Sequence, residues 1–122
     1  MPILEEDELF LTEKSYSWKI DSDPIHGHCL VVSNFPINNS KYNIDKTDLL
    51  ILIPPQYNNS TLDMYYVNPD VKLQDGQYPQ AADQFIDCLG KKWQRFSRHI
   101  TSWNPGVDSL RSFMTLIKKE LQ

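Results

Sequence analysis

Cysteine is scarce in this chain, and its scarcity excludes one class of small protein. The 122 residues include two cysteines, Cys29 and Cys88, which do not form a Cys-x-x-Cys pair. Small secreted domains that depend on disulfides carry several closely spaced cysteines. We therefore expect two reduced thiols and no disulfide framework.

A long apolar run and a secretion signal are also missing. No apolar segment approaches the roughly 20 residues that a membrane-spanning helix needs. The first eight residues are acidic, whereas a signal peptide begins with basic residues and continues with apolar ones. These absences predict a cytoplasmic protein that does not enter a membrane.

The chain has no excess of positive charge. Its formal net charge is -4 at pH 7, so it has no general attraction for a phosphate backbone, and nucleic acid is not an expected partner. Lys91, Lys92, Arg95 and Arg98 form the one basic cluster in the sequence. Such a cluster is typical of a solvated face, and it would also suit an acidic protein surface.

What the chain does contain is an ordinary globular mixture. Hydrophobic residues make up 40% of the sequence and aromatic residues 11%, which argues against disorder. We find no internal repeat, low-complexity tract or linker. Residues 1–122 are therefore expected to form a single domain.

Alternation of apolar and polar residues predicts strands in the first part of the chain. The segments are residues 16–20, 29–32, 49–53 and 62–67. Residues 49–53 are apolar without interruption, which is typical of a central strand buried on both faces. Because the connections are short, the four strands are expected to form an antiparallel meander.

Helices are predicted at the two ends of the chain. Residues 3–11 carry acids in their first turn, as a helix N-terminus favours. At the other end, Asp108 is the predicted N-cap of a helix whose apolar residues recur at spacings of three and four, namely Leu110, Phe113, Met114, Ile117 and Leu121. Residues 70–80 are predicted to be a loop and residues 81–89 a short helix. The resulting fold class is α+β.

The densest chemistry lies just before the last helix, at Ser97 and His99. If residues 96–100 are extended, side chains two residues apart project to the same side, so the imidazole would approach the hydroxyl as a base approaches its nucleophile. In a helix the two side chains would point apart. The alternative interpretation is that Ser97 caps a turn and His99 is a packing residue.

Cys88 is a second candidate nucleophile, because a thiol ionises more readily than a hydroxyl. It would need a loop that brings it beside His99 or the Lys91-Lys92 pair, either of which could lower its pKa. The alternative is a small, half-buried apolar residue. Cys29 is expected in the core.

A metal site is not expected, although His26-Gly27-His28-Cys29 offers three possible ligands in four residues. Structural zinc sites usually join two such clusters. The other histidine is His99, and Cys88 would be a remote fourth ligand. No cofactor is expected either.

Several motifs resemble the ubiquitin-conjugating enzyme superfamily. Residues 49–57, Leu-Leu-Ile-Leu-Ile-Pro-Pro-Gln-Tyr, are similar to the third strand and the start of the proline-tyrosine loop, and residues 62–66 to the fourth strand. Trp103-Asn104-Pro105 is similar to the tryptophan-x-proline step before the next helix. Residues 93–99 and 103–108 look most like prokaryotic family E of this superfamily.

The resemblance implies a ubiquitin-conjugating fold and a bacterial acyl transferase. Such a protein accepts a ubiquitin-like protein from an activating enzyme, holds it as an oxyester or thioester, and transfers it to a protein target. Ser97 lies in the segment where the family has its nucleophile, whereas Cys88 lies earlier. Asn68-Pro69 is the nearest counterpart of the His-Pro-Asn triplet, so Asn68 is the candidate oxyanion donor.

Two other functions are compatible with the sequence. The chain could be an inactive variant that binds a ubiquitin-like protein or the activating enzyme. It could also be an unrelated α+β adaptor, which would be favoured if the sheet were not a meander.

Overall fold

The computed structural model describes residues 2–122, which form two α-helices and six β-strands. The helices are α1 (Glu5–Glu13) and α2 (Leu110–Leu121). The strands are β1 (Ser17–Asp23), β2 (Gly27–Pro36), β3 (Lys46–Leu52), β4 (Asp63–Asn68), β5 (Gln84–Cys88) and β6 (Lys91–His99). The predicted α+β class, with a helix near each end of the chain, is confirmed.

The strands form one antiparallel sheet, with the order β1-β2-β3-β4-β6-β5. The predicted meander corresponds to β1 through β4. The prediction of four strands is wrong, because the sheet has six. The two additional strands extend it beyond β4, and β6 carries the candidate site residues Ser97 and His99.

Residues 81–89 were predicted to be a short helix, and that prediction is wrong. Residues 84–88 form β5, which pairs with β6 so that Ile86 lies opposite Trp93. Leu89 and Gly90 join the two strands with φ angles of 52° and 74°, as in the tight two-residue turns of hairpins. A short apolar run does not distinguish a buried strand from a helix. Leu89 also stands where asparagine or aspartate usually precedes the glycine of such a turn, so Gly90 alone was a weak signal.

Helix α2 packs on one face of the sheet and forms much of the main core. The five apolar residues predicted to share one face are fully buried, which confirms the stripe. The predicted cap is wrong: Ser109, not Asp108, precedes the helix. The Asp108 carboxylate instead accepts hydrogen bonds from the Asn104 amide (2.8 Å) and the Ser112 hydroxyl (2.9 Å), so it closes the preceding turn. Neither helix within residues 2–122 has the length and apolarity that crossing a membrane requires.

A second, smaller core lies on the opposite face of the sheet. Its buried members come from β2, β3, β4 and the β5–β6 hairpin, and they are Cys29, Val31, Leu50, Tyr66, Cys88 and Trp93. Although β1 and β5 are at opposite edges of the sheet, the Leu89 amide donates to the Asp23 carboxylate at 2.8 Å. The hairpin therefore bends over this face and covers it.

Candidate functional site

The segment predicted to carry the chemistry lies in the second half of β6. Of the two conformations considered for it, extended and helical, the structure has the extended one. Phe96 lies opposite Tyr65, and His99 lies opposite Asp63. Between these pairs β6 has two residues where β4 has one, which is a β-bulge. A bulge interrupts the two-residue alternation of side chains, and the predicted approach of His99 to Ser97 depends on that alternation.

His99 pairs with a carboxylate that the sequence analysis did not single out. Its Nδ1 lies 2.7 Å from Asp63 Oδ1. Both side chains are about half exposed, at 52% for His99 and 49% for Asp63. Strand pairing creates this contact, because Asp63 opens β4 and His99 ends β6. In the sequence, 36 residues separate them, and no local spacing pattern connects the two positions.

Ser97 is half-buried in β6, and its backbone amide donates to the Ala81 carbonyl at 3.0 Å. No hydrogen bond joins its hydroxyl to His99 or to any other group in the described part of the chain. The structure thus places the two candidates two residues apart on one extended strand without a hydrogen bond between their side chains.

Arg98, between these candidates, ties β6 to helix α2. Its Nε and Nη2 donate to the two carboxylate oxygens of Glu120 at 2.8 and 2.6 Å. Tyr65 donates to the same carboxylate at 2.5 Å. Burial lowers the pKa of Arg98, but the hydrogen bonds and charge of Glu120 outweigh this effect, and the net shift is upward. This bidentate pair fixes the strand that carries Ser97 and His99.

Cys88 lies at the other end of the β5–β6 pairing, opposite Lys91. Its sulfur is 3.7 Å from that of Cys29, and the two residues are 2% and 0% exposed. Burial, followed by the contact with Cys29 and the negative charge of Asp23, raises the pKa of Cys88 to about 12. The expected placement of Cys29 in the core is confirmed. Neither thiol is in an environment that favours a thiolate.

The side chain of Asn68 is hydrogen-bonded within the sheet. Its side-chain nitrogen donates to the Lys92 carbonyl of β6 at 2.8 Å. At about 3.3 Å per residue, Lys92 and His99 are on the order of 20 Å apart along the strand. The structure therefore does not bring Asn68 beside Ser97 or His99.

The cluster His26-Gly27-His28-Cys29 spans the turn between β1 and β2 and the start of β2. The Nε2 of His26 lies 3.1 Å from the Asp87 carbonyl of the neighbouring hairpin. Among residues 2–122, no group of three or more His, Cys, Asp or Glu side chains is arranged to hold a metal ion.

The carboxylate of Asp23 accepts from the amides of Leu89, His26 and Ile25, and these bonds lower its pKa to about 2.

The tryptophan-proline step is held against the loop after β3. Trp103 donates from its indole nitrogen to the Asn58 carbonyl at 2.9 Å, and Asn58 donates from its side chain to the Asp108 carbonyl at 2.8 Å. The Tyr57 hydroxyl accepts from the Leu110 amide and donates to Asp7, so it links both helices. These contacts fix the chain between His99 and α2.

Two open depressions meet at the Asp63–His99 pair. One, of about 510 Å³, is lined by His99, Arg98 and residues of α2. The other, of about 530 Å³, is lined by Asp63, the turn between β1 and β2, and Pro54-Pro55. The pair is therefore accessible from both sides, unlike Cys88.

Comparison with known proteins identifies the family. The family described as Prokaryotic E2 family E matches residues 3–122. Comparisons with curated proteins and with solved structures found no significant match. Because the match covers nearly the whole length, the chain belongs to prokaryotic E2 family E, a family similar to ubiquitin-conjugating enzymes.

Proposed function

We propose that this chain, acting as one domain, accepts a ubiquitin-like protein from an activating enzyme and transfers it to a protein target. Membership of an E2-like family supports this class of reaction and implies protein partners. The finer assignment depends on which side chain becomes acylated. We assign that role to Ser97 ahead of Cys88.

The ranking of Ser97 ahead of Cys88 rests on the difference in their surroundings. Ser97 is half-buried on a strand whose next exposed residue is the paired His99, whereas Cys88 is 2% exposed and faces another thiol. Sulfur is the better nucleophile as a thiolate, but a pKa of about 12 leaves almost none of Cys88 ionised near neutrality. A hydroxyl needs an adjacent base. His99 lies two residues from Ser97, and only its Nδ1 is hydrogen-bonded within the described residues, so its Nε2 can accept a proton.

The reaction would run in two acyl transfers. In the first, Ser97 Oγ attacks the thioester carbonyl on the activating enzyme, its proton passes to a base, and the C–S bond breaks to release the thiol. In the second, an amine of the target attacks the ester, and Ser97 leaves as the protonated hydroxyl. Catalytic hydrogen bonds are often long in unliganded enzymes and tighten in the complex, so Ser97 and His99 need not be in contact beforehand.

A charging assay with the matching activating enzyme and ubiquitin-like protein tests the proposal. The adduct should resist thiol reductant, yield to mild base, disappear in Ser97→Ala and persist in Cys88→Ala. Ser33→Ala is a matched control, because Ser33 is a half-buried serine in a different strand. A reductant-sensitive adduct that Cys88→Ala alone abolishes would reverse the order of the two residues.

The second candidate function is a binding module that does not form an adduct. Two observations favour it. The Asn68 side chain, the candidate oxyanion donor, is hydrogen-bonded to the Lys92 carbonyl. In the described residues no hydrogen bond joins Ser97 to His99, the candidate base. A binding module would retain affinity for the ubiquitin-like protein or the activating enzyme in every variant and would never be acylated.

A further inference from the structure

The Asp63–His99 contact determines which imidazole nitrogen carries the proton. A carboxylate near neutral pH can only accept hydrogen bonds. The 2.7 Å contact therefore requires that His99 Nδ1 donate to Asp63 Oδ1. In the neutral ring Nε2 is then unprotonated, and its lone pair can accept a proton. No group within residues 2–122 hydrogen-bonds to this Nε2.

The contact contributes little to holding the two strands together. Solvent-exposed polar contacts, even between charged groups, add little to stability, and these two side chains are about half exposed. Backbone pairing between β4 and β6 and the partly buried Arg98–Glu120 pair already fix this part of the sheet. The pair is thus better placed to control a proton than to stabilise the fold.

We propose that Asp63 is the positioning residue of this site and that it makes His99 Nε2 the base for the acceptor amine. This inference rests on the proposed acyl transfer. In the step itself, the amine nitrogen forms a bond to the ester carbon and gives its proton to Nε2. The C–O bond to Ser97 then breaks, and the departing oxygen takes that proton, so the imidazole is regenerated neutral. Asp63 keeps its contact with Nδ1 throughout and never touches the substrate.

The tautomer of His99 can be measured on the purified protein, without any partner. In ¹⁵N spectra at a pH where the ring is neutral, assigned by their loss in His99→Ala, we expect a protonated Nδ1 and an unprotonated Nε2. Asp63→Ala should lose this preference, and Asp63→Glu should retain much of it. A wild-type ring protonated at Nε2 would overturn the inference.

Kinetics provide the second test. We expect Asp63→Ala to become charged, although more slowly than the wild type, because His99 also serves the charging step. Once charged, it should discharge to free lysine about tenfold or more slowly, a part of the hundredfold or more that a general base typically contributes. Asp63→Glu should recover much of the rate. Asp21→Ala is the matched control, because it removes another partly exposed strand carboxylate that contacts a basic side chain, Lys19, and it should discharge like the wild type.

The two proposals fail in different ways. If the wild type becomes charged and Asp63→Ala discharges at the wild-type rate, the role of Asp63 is wrong and the proposed function stands. If the wild type is never charged, the proposed function is wrong, and the tautomer measurement alone decides whether Asp63 orients His99.

Discussion

The two ends of strand β6 differ in how much water reaches their reactive side chains. At one end Cys88, opposite Lys91, is buried against Cys29, and both thiols are almost fully enclosed. At the other end His99 is 52% exposed and paired with a carboxylate. The residue type with the better intrinsic nucleophilicity therefore lies in the environment that suppresses it. Surroundings, rather than residue type, distinguish the structural end from the candidate catalytic end.

The largest expected effect is on stability at the Cys88 end. Trp93 is 2% exposed in the second core, and its indole donates to the Cys88 carbonyl. Trp93→Ala should lower the free energy of unfolding by about 3 to 5 kcal/mol, as truncation of a buried aromatic residue typically does. Urea denaturation measures this loss, and a change below about 1 kcal/mol would mean that the hairpin does not cover a real core.

The next effect is kinetic and belongs to the His99 end. His99→Ala should slow charging by roughly a hundredfold or more, the usual contribution of a general base. His28→Ala, which removes an exposed histidine from β2, is the control and should charge normally. If His99→Ala and His28→Ala were charged at equal rates, the His99 end of β6 would have no catalytic role.

Low pH should reduce the stability of the Cys88 end, because the Asp23 carboxylate becomes protonated there. The pKa of this carboxyl is lowered from its ordinary value of 3.8 to about 2 by hydrogen bonds from Leu89 and His26. A lowered folded-state pKa stabilises the fold above the ordinary value, and this contribution is lost as the pH falls through the folded value. The difference in Tm between wild type and Asp23→Ala should shrink from pH 3.8 to pH 2. A constant difference across that window would contradict this account.

The smallest expected effect is that of metal removal. His26 is hydrogen-bonded to the hairpin backbone, and the described residues contain no cluster able to hold a metal. Since a structural metal contributes its binding energy to folding, the Tm should be unchanged by a chelator. Stoichiometric zinc in the purified protein, together with a lower Tm in chelator, would show a site that joins the Cys29 region to a further ligand.

Much of the fold could be predicted from local pattern. The alternating and apolar runs located β1 through β4, and the three- and four-residue spacing of apolar residues located α2, because each pattern reflects burial of one face. The β5–β6 hairpin was missed in part. Its turn pairs Gly90 with Leu89, a residue that rarely adopts a positive φ, and its apolar residues fit a short helix equally well.

The candidate site was harder to predict because it depends on contacts between distant residues. Ser97 and His99 could be selected from the sequence, but whether their segment is extended or helical could not, and the structure shows a strand. Sequence analysis could not find Asp63 or Glu120, since strand register and helix docking bring them to β6 from 36 and 22 residues away. The bulge opposite Met64 is likewise a tertiary feature, and it interrupts the alternation on which the predicted approach of His99 to Ser97 depends.

The most direct test of the central claim is the chemical nature of the charged species. Wild type, Ser97→Ala and Cys88→Ala should be incubated with the activating enzyme and the ubiquitin-like protein, and the adducts mapped by mass spectrometry with and without reductant. The account predicts a reductant-resistant oxyester on Ser97 that Cys88→Ala retains. A thioester on Cys88, or no adduct in any of the three proteins, would contradict it.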